Sequence, residues 1–289
     1  MLKILVTGAN GLLGRQVLTM LRSDHEVHGV VRSAPLSPVE DVQYHCADLA
    51  GNWSQGDLPR SIDCIVHLAQ SRHFREFPER AMDVFRVNVE STAMLLDYCH
   101  RSGGARFIYA SSGGVYGNGA RAFTENSPLV PPVHLGHYLG SKMCGEILSQ
   151  GYIQIFGVAV LRFFFVYGPG QERSMLIPRL FDNVQNGRPI LLQGDAGIRI
   201  NPVHVEDAAR ALVAAIQSGA SETFNVAGPD VLSIREIADS IGEYLGREPV
   251  FQAADGEARD LVGDNSAMSA RLWAPRKVFK ECIEELHPD

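Results

Sequence analysis

Apolar positions along the chain follow two rhythms. Leu2, Ile4, Leu5 and Val6 form a short run that predicts a buried first strand, and from Leu12 to about Leu21 apolar side chains recur at helical spacing. Glu26–Val31, Val42–Cys46 and Asp63–Leu68 read as the second, third and fourth strands. A long helical pattern covers Arg80–Arg101, with Ala81, Val84, Phe85, Val89, Ala93, Leu96 and Cys99 near one face. Arg106–Ser111 predicts a fifth strand, Tyr138–Phe156 a helix and Val158–Phe165 a sixth strand. Strands alternating with helices imply an α/β fold: a doubly wound parallel sheet with helices on both faces.

From about Gly168 the pattern loosens. Helices are expected at Met175–Asn186, Val205–Gln217, Ile234–Leu245 and Lys277–Leu286, with short strands at Pro189–Leu192 and Thr223–Val226. The organisation expected is a dinucleotide-type domain over 1–167, to which about 201–227 returns, and a smaller mixed α/β C-terminal cap over 168–289. Such a cap closes a cleft at the carboxyl ends of the strands, where open α/β sheets bind ligands.

Composition narrows the classes. The 289 residues, 45 % hydrophobic and 20 % charged, suit a soluble globule with ample length for a core. A net charge of -7 argues against a nucleic-acid surface, though not against a local anion site. Cys46, Cys64, Cys99, Cys144 and Cys282 are scattered, with no C-x-x-C, and predict free thiols in a reducing compartment. No stretch is long and apolar enough to cross a bilayer, and Val158–Val166 is interrupted by Arg162. Thr7, Asn10 and the early glycines make a poor signal-peptide core, so a cytoplasmic protein without a membrane partner is expected.

The candidate chemistry begins at the first turn. Gly8, Gly11 and Gly14 follow the first strand and open a helix, a layout that places a phosphate on a helix N-terminus. Their spacing is G-x-x-G-x-x-G. Tyr138 and Lys142 stand at i and i+4, hence on one helix face. A free tyrosine has a pKa of about 10; a nearby ammonium and a cationic nicotinamide would favour tyrosinate, and a drop of ~3 units corresponds to ~4 kcal/mol. A phenol so tuned exchanges a proton with an alcohol as hydride moves. Ser111-Ser112-Gly113-Gly114 lies at the end of the fifth strand, where a hydroxyl can orient the reacting oxygen. His204 and Asp207 precede a helix and read as capping and packing groups, Arg162 as a structural ion-pair partner, and no histidine spacing suggests a metal site.

TGANGLLG (Thr7–Gly14), Asp48-Leu49, HLA (His67–Ala69), NVEST (Asn88–Thr92), SSGGVYG (Ser111–Gly117), YLGSKMCGE (Tyr138–Glu146), LRFFFVYGPGQ (Leu161–Gln171) and HVEDAARA (His204–Ala211) cover nearly the whole chain in order. Together they resemble the extended short-chain dehydrogenase/reductase family, in its NAD(P)-dependent sugar-nucleotide epimerase/dehydratase branch. The resemblance implies a Rossmann sheet in which Gly8, Gly11 and Gly14, with Asn10 and Leu12, hold the dinucleotide pyrophosphate. It places Asp48 and Leu49 by the adenine, and Leu68, Ala69 and Gln70 along the ribose and pyrophosphate. It makes Lys142 a ligand of the nicotinamide ribose, Tyr138 the acid/base and Ser112 the substrate-orienting hydroxyl. Phe163 and Phe164 would lie near the nicotinamide, and Asn88 would hold its helix and the site's water. A homodimer through the helices after Arg80 and Tyr138 is also implied.

Three departures shape the expected reaction. Val30-Val31-Arg32-Ser33 carries no acid where NAD-preferring relatives hold the ribose, so Arg32 and Ser33 favour NADP(H) over NAD(H). Gly113 and Gly114 replace the acids of the 4,6-dehydratases and the glutamate of the decarboxylases, leaving simple hydride transfer. Phe165 replaces the usual asparagine before V-Y-G-P, and Arg199 and Asn201 only approximate the phosphate-contacting pattern, with Arg259 a further diphosphate candidate. The reading is a 4-ketoreductase using NADPH on a nucleotide sugar. Alternatives are a 4-epimerase with retained NAD, a reductase of a non-sugar carbonyl, and a non-catalytic NADP-binding sensor or scaffold.

Overall fold

The computed structural model describes residues 1–219 and 221–287. Its central sheet takes its first six strands in chain order: β1 (Lys3–Thr7), β2 (Glu26–Val31), β3 (Val42–Cys46), β4 (Cys64–His67), β5 (Arg106–Ser112) and β6 (Gly157–Phe163). After β7 (Ile190–Gln193) and β8 (Arg199–Ile200), which lie outside it, β9 (Glu222–Val226) completes the sheet. The order is β3-β2-β1-β4-β5-β6-β9, every pair parallel. The order reverses beside β1, which opens a crevice over the carboxyl ends of β1 and β4.

A parallel sheet covered on both faces needs nearly continuous apolar strands, and the chain supplies them. Ile4, Val6, Val66, Ile108 and Leu161 face α1 (Leu12–Leu21) and α6 (Val205–Ser218). Leu5, Ile65, Phe107 and Val160 face the other layer, where Leu95, Leu96 and Cys99 of α3 (Ser91–Arg101) meet them.

The expected Arg80–Arg101 helix is broken in register. After α2 (Ala81–Phe85), residues Arg86–Glu90 form a π turn before α3 begins. The wider turn brings Asn88 inward, where Oδ1 accepts from Ser71 N at 2.9 Å and Nδ2 donates to Ser141 Oγ at 2.9 Å. The Ser91 and Thr92 hydroxyls donate back to the carbonyls of Val87 and Asn88, four residues earlier.

The helix expected at Tyr138–Phe156 is α4 (Pro132–Gln150), starting earlier and ending sooner. Proline fits a first helical turn, and Gly136 kinks the helix with φ +68°. β6 stops at Phe163, not Phe165, because Phe164 N turns to Val226 O and Phe165 adopts φ +46°.

The rest builds around a separate core of Tyr167, Phe181, Ile237, Ile241, Phe279 and Ile283. α5 (Leu176–Gln185), α7 (Ile234–Leu245) and a 3-10 segment at Phe279–Leu286, not the α-helix expected there, surround it. Two small sheets, β8 with β10 (Leu232–Ser233) and β7 with β11 (Phe251–Ala254), and the short α8 (Ser266–Arg271) complete the chain.

Candidate active site

Two adjoining cavities, of about 470 and about 500 Å³, lie over the carboxyl ends of the strands and share Gly8, Gly11, Leu68 and Gln70. They form one groove crossing the N-terminus of α1. The inner cavity reaches Ser112, Tyr138 and Lys142; the outer one reaches Arg32, Asp48 and Leu49.

The glycine turn explains the crossing. Gly8 has φ +68°, and a Cβ there would stand 2.9 Å from Ala69 N. A Cβ on Gly14 would fall 2.2 Å from the Gly8 carbonyl oxygen, so helix and strand pack too closely for any side chain. No side chain caps α1 and no acid stands in its first turn. Its first N–H groups and dipole therefore face the groove, as a pyrophosphate requires. The groove fits a nicotinamide dinucleotide, for which Gly8, Gly11 and Leu12 would hold the phosphates and the outer cavity the adenosine.

The segment after β4 is held by a buried chain of hydrogen bonds. Thr92 donates to Asn88 O at 2.7 Å, so it accepts from His67 Nε2–H at 2.9 Å. His67 Nδ1 is then an acceptor for the Thr7 hydroxyl at 2.7 Å, and Thr7 Oγ1 takes Ala69 N–H at 3.2 Å. Burial pushes the His67 pKa down to about 3, consistent with this neutral tautomer. The chain fixes Leu68, Ala69 and Gln70 along the groove.

At the end of β2, Arg32 is exposed, lines the outer cavity and makes no ion pair among the described residues. Ser33 does not line it; its carbonyl accepts from Asn10 Nδ2 at 3.3 Å, tying β2 to the glycine turn. Asp48 turns its carboxylate to Ala50 N at 3.1 Å, and Leu49 is buried beside it.

In the inner cavity, Ser112 Oγ accepts from Gly114 N at 3.2 Å, leaving the hydroxyl proton to donate elsewhere. Tyr138 is half-buried, and its hydroxyl donates to Gln70 Oε1 at 3.1 Å. Lys142 is buried, and its Nζ donates to Ala110 O at 3.0 Å. The protein's own groups do not supply the expected tyrosinate, which also counts on the nicotinamide cation. Burial raises the Tyr138 pKa to about 12, and the cation opposing that rise is Arg75, not Lys142. Burial also lowers Lys142, to about 8, against the pull of Glu146. The ammonium lies too deep in a desolvated floor to acidify the phenol by itself.

Behind these groups, Arg162 forms a buried ion pair with Glu146 at 2.7 Å and donates to Tyr116 Oη at 2.7 Å. Glu146 also accepts from Ser111 Oγ, which ties α4 to β5. Phe163 and Phe164 line the inner cavity, and so does Phe165.

Arg199 and Arg259 line neither cavity. Arg199 grips Asp260 through Nε and Nη2 at 2.8 and 2.6 Å, and Arg259 pairs with Glu257 at 3.3 Å. Asn201 bonds both backbone groups of Gly263. His204 caps α6, its Nδ1 accepting from Glu206 N at 3.3 Å, so its Nε2–H donates to Glu285 at 3.0 Å. Cys282 completes a group whose ligand atoms lie within 4.8 Å, yet both ring nitrogens are already used and Lys277 neutralises Glu285 at 3.3 Å. Asp207 accepts from Trp273 Nε1 and two backbone N–H groups.

Sequence reasoning missed Arg72, which lines the outer cavity, and Arg75 and Gln171, which line the inner one. The two arginines occupy an aperiodic segment after β4, where only the tertiary fold gives side chains a direction.

Known proteins share this sequence pattern and this fold. A 31 % identical relative, the dTDP-glucose 4,6-dehydratase of Streptomyces griseus, aligns over 85 % of this chain and 79 % of its own. An uncharacterized UDP-glucose epimerase of Bacillus subtilis, YtcB, is 27 % identical over 92 % of this chain and 90 % of its own. The structure of the UDP-glucuronic acid 4-epimerase of Bacillus cereus, with UDP-glucuronic acid and NAD, superposes with a TM-score of 0.86 at 25 % identity, covering 98 % of this chain and 97 % of that one. The sequence profile of the NAD dependent epimerase/dehydratase family matches residues 4–227, from the first strand of the sheet through its last. With that span matched, the chain belongs to the NAD dependent epimerase/dehydratase family, enzymes of the extended short-chain dehydrogenase/reductase type.

Proposed function

We propose that this protein is a nucleotide-sugar 4-epimerase that keeps its nicotinamide dinucleotide through the cycle. The observation that carries the reading is the content of the inner cavity. Ser112, Tyr138 and Lys142 line it, and among the described residues no carboxylate does. Elimination of water from a sugar needs an acid beside the catalytic hydroxyls, and decarboxylation in this family needs a glutamate; neither is there. The Bacillus relatives named as epimerases support the same reading.

When bound, the dinucleotide supplies the hydride acceptor and donor. Ser112 Oγ donates to the sugar oxygen and orients it. Tyr138 Oη takes the hydroxyl proton in one direction and returns it in the other, general acid–base work of about 10²–10⁴-fold. Lys142 Nζ, anchored on Ala110 O, holds a positive charge beneath the site and donates to the ribose. Phe163, Phe164 and Phe165 exclude water.

A second reading, a 4-ketoreductase using NADPH, is favoured by Arg32, whose unpaired guanidinium in the outer cavity suits a 2′-phosphate. One experiment separates the two. The purified protein is denatured, the released nucleotide identified, and the native protein offered UDP- and dTDP-sugars. Bound NAD with formation of the 4-epimer supports the first reading; stoichiometric oxidation of added NADPH by a 4-keto sugar nucleotide replaces it with the second.

A further inference from the structure

The walls of the inner cavity are unusual in charge. Of the described residues lining it, Arg75 and Lys142 alone carry a charge, and both are cations. Lys142 is buried and committed to Ala110 O. Arg75 forms no ion pair among the described residues. Its Nη1 reaches Ser174 O at 3.3 Å and its Nη2 Met175 Sδ at 3.7 Å, both weak uses of a guanidinium. The neighbouring acid, Glu76, is engaged by His73 at 2.8 Å and Arg80 at 3.9 Å.

The position of Arg75 is set by two ring contacts. Its Cζ lies 4.9 Å from the Phe74 ring centroid, and that ring is 4.9 Å from the Tyr138 ring. Arg75 thus stands at the reacting end of the cavity, bridging the segment after β4 to Ser174 and Met175. Its charge also reaches Tyr138, opposing the rise that burial imposes on the phenol.

We propose that Arg75 recognises a carboxylate on the sugar ring, so that the enzyme prefers nucleotide-linked uronic acids to neutral sugars. The proposal rests on the 4-position reading above. With C4 at Tyr138, the substituent on C5 is adjacent to the reacting carbon, whereas the diphosphate on C1 lies across the ring. A planar guanidinium with free N–H donors matches a carboxylate in two parallel hydrogen bonds. No acid in the cavity competes for it.

The test measures binding, so it is independent of whether the reaction is epimerisation or reduction. Tyr138→Phe protein loaded with NAD or NADP is titrated calorimetrically with UDP-glucuronate, UDP-glucose and their dTDP counterparts, with and without Arg75→Gln. The uronate is expected to bind about 10- to 100-fold more tightly than the neutral sugar, the scale of a charge-assisted hydrogen bond. Arg75→Gln removes that difference and leaves neutral-sugar affinity unchanged; Arg75→Lys keeps part of it. Equal affinities for the two sugars, or no binding of any, overturn the proposal. An equal loss for both sugars on Arg75→Gln also overturns it, assigning Arg75 to the diphosphate or to a structural strap. Nucleotide content and product analysis judge the reaction separately.

Discussion

The ring of Phe164 occupies the space that a side chain on Gly113 would need: a Cβ there would stand 2.5 Å from the ring. Gly114 is nearly as confined, its Cβ position 2.8 Å from Leu139. At Gly113 an acid would therefore displace an aromatic side chain that is itself fully buried, whereas at Gly114 the end of a leucine side chain would have to give. Gly113→Ala is expected to cost about 1–3 kcal/mol, the range for overpacking. Thermal or urea unfolding checks this, with Phe164→Leu recovering part of the loss in the double variant. Additive losses in the double variant would mean that the two residues do not compete for space.

His67 sets an acid limit on stability. Burial pushes its folded-state pKa down to about 3 from the ordinary imidazole value of 6.5. The unfolded chain therefore binds one more proton across that interval, and stability falls as pH drops from about 6.5 toward about 3, by about 1.4 kcal/mol per unit. Urea unfolding at pH 7, 6 and 5 measures the slope. In His67→Asn, whose amide can still bridge Thr7 and Thr92, the slope is shallower by one proton.

The Glu146–Arg162 pair carries the register between α4 and β6. Arg162 is 4 % exposed and Glu146 1 %, so Glu146→Ala strands a buried guanidinium, at a cost of about 3–5 kcal/mol. Glu146→Leu with Arg162→Met leaves no lone charge and retains most of the stability in the same unfolding assay. If the double variant is as unstable as Glu146→Ala, the loss lies in packing and not in the uncompensated charge.

For Tyr138, a pKa near about 12 means that the cofactor-free protein shows no tyrosinate from this residue below about pH 10. Loading with the oxidised dinucleotide brings a cation to the site and shifts the tyrosinate absorbance to lower pH. Tyr138→Phe removes that absorbance change and lowers turnover by about 10²–10⁴-fold while leaving dinucleotide binding intact. Lys142→Met is expected to weaken the dinucleotide, measured by titrating the variant with NAD, and to leave the pH at which the phenol titrates in the cofactor-free protein unchanged.

Much of the site was legible in the chain because its parts are local. Gly8–Gly14 is a strand, a turn and a helix start within one short stretch, and Tyr138 and Lys142 need only helical periodicity to share a face. Arg162 was readable as an ion-pair partner because a cation inside an apolar strand must find an anion. What was misread depended on neighbours far along the chain. The π turn at Arg86–Glu90 exists to satisfy Asn88 against Ser71 and Ser141. Arg199 turned to Asp260, which only the approach of residues 260–263 to β8 makes possible.

By itself the sequence determined the alternation of strand and helix, the glycine turn at a helix N-terminus and the pairing of Tyr138 with Lys142 on one helix face, since each follows from residue type and short-range geometry. The tertiary structure decided the electrostatics. Burial, not the nearby ammonium, governs the Tyr138 phenol, and the fold places Arg75 beside it across the inner cavity. Desolvation depends on every element packed around a group, and no local pattern in the chain encodes that sum.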